Sequence, residues 1–241
     1  MNKFGISIAV LIAAFVGLIY MTAQNSEEER TVDQQEILAI SEDDIVFGNR
    51  ESDVVLIEFA DYECPACRAY HDVVKQVIEQ YGDRIAVVNR HFPLPFHQNA
   101  RPAAWAVEAA GKQGQFEAMA DLVFENQPVW SGKTANVALF YPYAEQLGLD
   151  MDQFMDDALS DEIKDKVDRQ YREGQLLGVN STPTFMLQGQ VIVGMRSVED
   201  FGSLIEQALE QAQEQAANTE QQVAETEEEV AGEESGTSTD Q

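Results

Sequence analysis

Apolar and polar positions along this chain switch between a strand period and a helical period, and the switches mark out its elements. Val54-Val-Leu-Ile-Glu-Phe59 is a β-branched apolar run and reads as a buried strand. A short polar turn follows (Asp61, Tyr62, Glu63). Tyr70, Val73, Val74, Val77 and Ile78 then fall on one face of a helix, which Tyr81-Gly82-Asp83 ends as a C-cap and turn. Ile85-Ala-Val-Val-Asn-Arg-His-Phe92 gives a second strand and completes a β-α-β unit.

From Pro93 to Gly178 the period is helical. Phe116, Met119, Ala120, Val123 and Phe124 share one face, as do Ile163, Val167, Tyr171 and Gly174. Gly148 and Gly178 each follow a leucine where a C-cap is expected, and Asp150 suits the N-cap of a helix carrying Phe154. Pro142 is expected to kink or interrupt the helix containing Leu139 and Leu147. Thr184-Phe-Met-Leu187 and Val191-Ile-Val193 flank Gln188-Gly189-Gln190 as a hairpin. A closing helix runs from Ser197 through Leu209, with Phe201, Leu204, Ile205 and Ala208 inward. Residues 211–241 contain no aromatics and predict a disordered acidic tail, the alternatives being a few more helical turns or a segment binding a basic partner.

Ahead of the first strand, residues 4–23 carry no charge and are long enough to span a bilayer. Lys3 precedes them and Glu27-Glu-Glu29 follows, which places residues 1–3 in the cytoplasm. The reading is an uncleaved transmembrane signal-anchor in the cell membrane. A cleaved signal peptide is the alternative, although Met21-Thr-Ala23 makes a poor cleavage site. Either way the rest is extracytoplasmic, in the periplasm or at the cell exterior. Residues 24–44 form an acidic linker in which Ile37, Leu38 and Ile40 hint at a short helix, and the folded domain spans 45–210.

The chain has 241 residues and a formal charge of -28, with no Lys or Arg after Arg196. That balance argues against nucleic acid, whose phosphates need a basic patch. Its two cysteines, Cys64 and Cys67, share one Cys-Pro-Ala-Cys motif, so no structural disulfide is available elsewhere in the chain. At the start of a helix the first thiol meets free backbone N–H groups and the positive end of the dipole, which favour a thiolate nucleophile. Pro65 suits the first turn, and Cys67, one turn on, is placed to resolve a mixed disulfide. Half a zinc site is the rival reading, but His71, His91 and His97 lack the spacing to complete it, so no metal and no cofactor is expected. His71 reads as a packing or surface histidine, and His91 and His97 as supports for the loop around Pro93 and Pro95.

These residues together resemble the DsbA-like family, extracytoplasmic thiol–disulfide oxidoreductases of thioredoxin fold. Cys-Pro-x-Cys follows a hydrophobic strand; Glu58, six residues before Cys64, matches the family's buried carboxylate; Val179-Asn-Ser-Thr-Pro-Thr-Phe185 is similar to its cis-proline loop. Arg90-His-Phe-Pro-Leu94, followed by His97 and an alanine-rich helix, matches the bacterial branch. The resemblance implies an α/β thioredoxin fold with a helical domain inserted at about 96–178. It also implies proton transfer by Glu58 for Cys67, and substrate binding at Thr182, cis-Pro183, Pro65 and Ala66.

The activity expected is disulfide formation in exported cysteine-containing proteins, with reoxidation by a DsbB-like or vitamin K epoxide reductase-like membrane partner. Ala66 stands where strongly oxidising members carry histidine, which points to a milder oxidant. An extracytoplasmic reductase or isomerase, or a non-catalytic envelope binding module, are the alternatives.

Overall fold

The structure, a computed structural model, describes residues 34–235. Its frame is a five-stranded sheet of β1 (Ile45–Gly48), β2 (Val55–Ala60), β3 (Ala86–His91), β4 (Thr184–Leu187) and β5 (Gln190–Ile192), in the order β1-β3-β2-β4-β5. Only β2 and β3 pair in parallel, joined through α1 (Pro65–Tyr81); the other neighbours are antiparallel. The centre of the sheet is therefore β2, and Glu58 lies on it between Asn89 of β3 and Phe185 of β4.

Side chains of a strand alternate between faces, and each face has its own core. On one face Leu56, Val87, Phe185 and Leu187 meet Val74 and Val77 of α1 and Phe201 and Ile205 of α8 (Val198–Ser235). On the other, Ile57, Phe59, Val88 and Met186 are covered by Tyr171 of α7 (Asp161–Leu176) and by Leu38 and Ile40. Gly174 permits α7 to lie close, since a Cβ there would sit 2.7 Å from the Phe92 ring. In the hairpin, Gln188 and Gly189 have φ of 50° and 75°, the two positive values of a type I′ turn, so β5 starts one residue earlier than expected.

Between β3 and β4 stand α2 (Ala100–Lys112), α3 (Phe116–Glu125), α4 (Gln127–Trp130), a 3-10 turn (Val137–Phe140), α5 (Tyr141–Gln146), α6 (Met151–Leu159) and α7. Pro142 lies in the first turn of α5, so the expected interruption is a helix start. Asp150 caps α6 by accepting from Gln153 N, and Gly148 and Gly178 both take positive φ. The insertion has its own core around Met119, Trp130, Phe140 and Phe154, each burial worth about 1.5–3 kcal/mol. Cys67, Tyr62 and Ala60 belong to that same cluster, which ties the insertion to the thiol pair.

Three expectations need correction. Strand β1 was not anticipated, because four residues next to Glu42-Asp-Asp44 carry too short a pattern. Residues 37–44 are not a free spacer. Arg90, almost fully buried, donates to the carbonyls of Ile37 and Ala39 and pairs with both oxygens of buried Asp44 (3.2 and 2.7 Å). Finally, where a disordered tail is expected from 211, α8 continues to Ser235. Ala, Gln and Glu are strong helix formers and no Gly or Pro intervenes until Gly232, so local propensity extends the helix although residues 213–219 are exposed. No helix among the described residues is long and apolar enough to cross a membrane; the span expected at 4–23 and the last residues of the expected tail, 236–241, lie outside them.

Candidate active site

Cys64 is the N-cap of α1, with extended backbone (φ -74°, ψ 122°), and Pro65 occupies the first turn. No acidic side chain sits in that turn, so the helix dipole and free amides act on the sulfur undiminished. The pair stands as two thiols and both are buried, Cys67 completely. Cys64 is pulled from 9.0 down to about 5 by the Cys67 thiol that donates to it, then by Thr182 and the backbone N–H groups of Cys67 and Ala66, against the opposing effect of burial. Cys67 moves the opposite way. Burial raises it first, then its hydrogen bond to Cys64 and the nearby charge of Glu58. One thiol is built to be a thiolate and the other to stay protonated.

Glu58 lies beneath this pair. Its side chain is buried, with one long hydrogen bond, from Asn89 Nδ2 at 3.4 Å, and burial lifts its carboxyl from 4.5 to about 7. Across from the thiols, the Thr182–Pro183 peptide is cis, and the carbonyl of Thr182 accepts from Cys64 Sγ at 3.3 Å. Beside Pro183 a groove of about 420 Å³ opens between Tyr70, Val179, Phe185, Ile192 and Met195. The fold thus gathers Glu58, Cys64, Pro65, Ala66, Cys67, Thr182 and Pro183 at one end of β2.

The polar turn before the motif holds residues that sequence reasoning missed. Asp61, Tyr62 and Glu63 are all buried. Asp61 accepts from Glu63 N, Leu94 N and His97 Nδ1, and its own N–H points at Cys67 Sγ (3.4 Å). Glu63 accepts from Asn99 N (2.6 Å), Gly132 N (2.7 Å) and Ser131 Oγ, which pins the turn to the helical insertion. Gln127 donates to the carbonyls of Tyr62 and Cys64. Acids in a turn are ordinarily solvated, so nothing in their spacing reveals this burial.

Among the described residues the three histidines go to three separate carboxylates: His71 to Asp121 (2.6 Å), His91 to Glu108 (2.7 Å) and His97 to Asp61 (2.7 Å). No group of three or more His, Cys, Asp or Glu gathers there as a metal site.

The sequence matches the family described as Thioredoxin over residues 40–207. A thioredoxin-like oxidoreductase from Silicibacter pomeroyi DSS-3 is similar in structure, with a TM-score of 0.61 and 27% identity over 74% of this chain and 97% of that one. The alpha-DsbA1 of Wolbachia pipientis shares the fold at a TM-score of 0.68 and 22% identity, over 76% of this chain and 99% of that one. Among curated proteins, the Na(+)/H(+) antiporter NhaA 1 of Mycobacterium sp. (strain KMS) is 34% identical over 154 residues, which are 62% of this chain and 24% of that protein. The chain thus spans about a quarter of the length of the curated relatives it matches.

Proposed function

This chain belongs to the thioredoxin family, and on that premise we propose that it is a DsbA-like thiol:disulfide oxidoreductase which oxidises dithiols of exported proteins. The observation that carries the proposal is the opposed tuning of one pair, with Cys64 lowered to about 5 and Cys67 raised. Sodium–proton antiport is not carried over, since the match covers about a quarter of those proteins.

In the oxidised enzyme a substrate thiolate attacks Cys64 Sγ. The Cys64–Cys67 bond breaks, Cys67 leaves as a thiolate and takes a proton from Glu58, and a mixed disulfide joins substrate to Cys64. A second substrate thiolate then attacks the substrate sulfur of that bond and releases the Cys64 thiolate, the better leaving group. Two electrons have passed from substrate to the pair. The dithiol returns them to a membrane oxidant of the DsbB-like or vitamin K epoxide reductase-like type.

Thr182 and Pro183 fit a role in substrate alignment, with the Thr182 carbonyl beside Cys64 and the Pro183 groove able to take an extended segment. Pro65 and Ala66 form the rim that a substrate meets first. Residues 4–23 are assigned as the anchor that keeps this domain, 45–210, outside the cytoplasm.

Equilibrating the chain in glutathione buffers tests the direction. A potential between about -120 and -200 mV fits a disulfide donor milder than the strongest members; one near about -270 mV makes it a reductase.

A further inference from the structure

Asp61 stands three residues ahead of Cys64 and is buried, with 1% of its surface exposed. A carboxylate so enclosed loses its hydration, and burial pushes its carboxyl above the ordinary 3.8. Hydrogen bonds converge on it from two directions. Oδ1 accepts from Glu63 N (2.7 Å), and Oδ2 accepts from Leu94 N (2.8 Å) and His97 Nδ1 (2.7 Å). Its carbonyl accepts from Cys64 N (3.1 Å), and its own N–H points at Cys67 Sγ (3.4 Å). The main chain of Asp61 thus touches both cysteines, while its side chain is clamped by its own turn and by the loop after β3.

The contact with Cys67 matters most where that sulfur gains charge. Burial, the bond to Cys64 and the charge of Glu58 all oppose a thiolate at Cys67, and the Asp61 amide favours one. When a thiolate attacks Cys64 of the disulfide, the electron pair of the broken bond passes to Cys67 Sγ. A donor already aimed at that sulfur meets the new charge without reorganising, which is how a preorganised amide lowers a barrier.

We propose that the Asp61 N–H receives the departing Cys67 thiolate, and that the Asp61 carboxylate and His97 are positioning residues that hold it on the sulfur. The proposal rests on the reading of this pair as an exchange centre. The thiolate then takes the Glu58 proton. In reverse, the same N–H favours the Cys67 thiolate that attacks a mixed disulfide at Cys64. His97 is where the clamp meets solvent. Its side chain is 18% exposed and its ring packs edge-on against exposed Phe96, with centroids 4.6 Å apart. Removing the imidazole therefore takes one donor from Asp61 without emptying a buried site.

The test uses the full chain at pH 7 and follows one step in both directions. Glutathione reduces the oxidised pair, and Cys67 releases glutathione from a mixed disulfide at Cys64. Asp61→Ala removes the clamp, His97→Ala removes one donor, and His97→Asn returns an N–H near the place of Nδ1. In Asp61→Ala both directions are expected to slow about three- to ten-fold. His97→Ala loses less, and His97→Asn recovers the loss. The reduction potential and the Cys64 alkylation midpoint stay unchanged, because the amide acts on charge passing through Cys67 and on neither end state. Should Asp61→Ala not fold, the two His97 variants decide alone. Wild-type rates in the Ala variants overturn the proposal. So does a loss accompanied by a moved potential or Cys64 midpoint, or one that His97→Asn leaves in place, since a loosened turn gives those results. If the wild-type pair does not exchange with glutathione at all, the exchange reading itself fails and takes this role with it.

Discussion

Cys64 Sγ lies 3.3 Å from the carbonyl oxygen of Thr182, although 118 positions separate the two in sequence. A carbonyl acceptor favours the protonated thiol, so the lowering of Cys64 comes from donors. The Cys67 thiol acts first, then the Thr182 side chain of the facing loop and the amides of Cys67 and Ala66 on its own helix.

That tuning sets the pH range of reactivity. Alkylation of Cys64 is expected to reach half its maximal rate near pH 5. Because this thiol is lowered in the folded state, the stabilisation it lends the dithiol form is complete above pH 9 and is lost as pH falls through about 5. Thr182→Val is expected to move the midpoint upward, since the residue's side chain is one of the lowering influences. A wild-type midpoint near 9 would remove the basis of the proposed chemistry.

Glu58→Gln is expected to stabilise the protein and impair it. The native state keeps the Glu58 proton up to about pH 7, whereas the unfolded chain releases it near 4.5. Native stability therefore falls as pH rises through that window, by roughly 3 kcal/mol in total. The Gln variant escapes this loss, so its advantage is largest above pH 7 and absent below 4.5. Urea melts at pH 4 and pH 8 check it; equal differences at both would refute the assignment.

Glu63→Ala leaves the buried amide of Asn99 and the part-buried amide of Gly132 without their acceptor. A buried unpaired amide costs about 1–3 kcal/mol and water can replace the partner of the exposed Gly132, so a loss of about 2 kcal/mol in chemical denaturation is expected. The Cys64 alkylation midpoint reports whether the turn before the motif has also loosened.

Arg90→Leu strips a buried partner from Asp44 and the donors from the carbonyls of Ile37 and Ala39. Removing one side of such a pair costs about 3–5 kcal/mol. Hydrogen exchange at residues 39–44 should accelerate ahead of the sheet. If these amides keep their protection, the segment is held by Leu38 and Ile40 instead.

The sheet's central strands and α1 were legible because Val54–Phe59 and Ile85–Phe92 are long apolar runs bounded by turns. The faces of α3 and α7 were legible from 3.6-residue spacing, and all five positions foreseen on α3 are buried. Hidden from sequence were interactions between polar residues far apart. Glu63 meets Asn99 and Gly132, Gln127 meets Cys64, and Arg90 meets Asp44, and no periodicity encodes such pairs. Gln170, buried on a helix face otherwise read as apolar, is of the same kind: it donates to Asp44 and accepts from His91 N. The end of α8 was misjudged for a different reason. Composition that cannot build a core can still hold a helix.

The grip of Arg90 on Ile37 and Ala39 also fixes where the folded body begins. A pull applied ahead of Ile37 is carried straight to Arg90 on β3, the neighbour of the central strand that bears Glu58, rather than taken up by a slack segment.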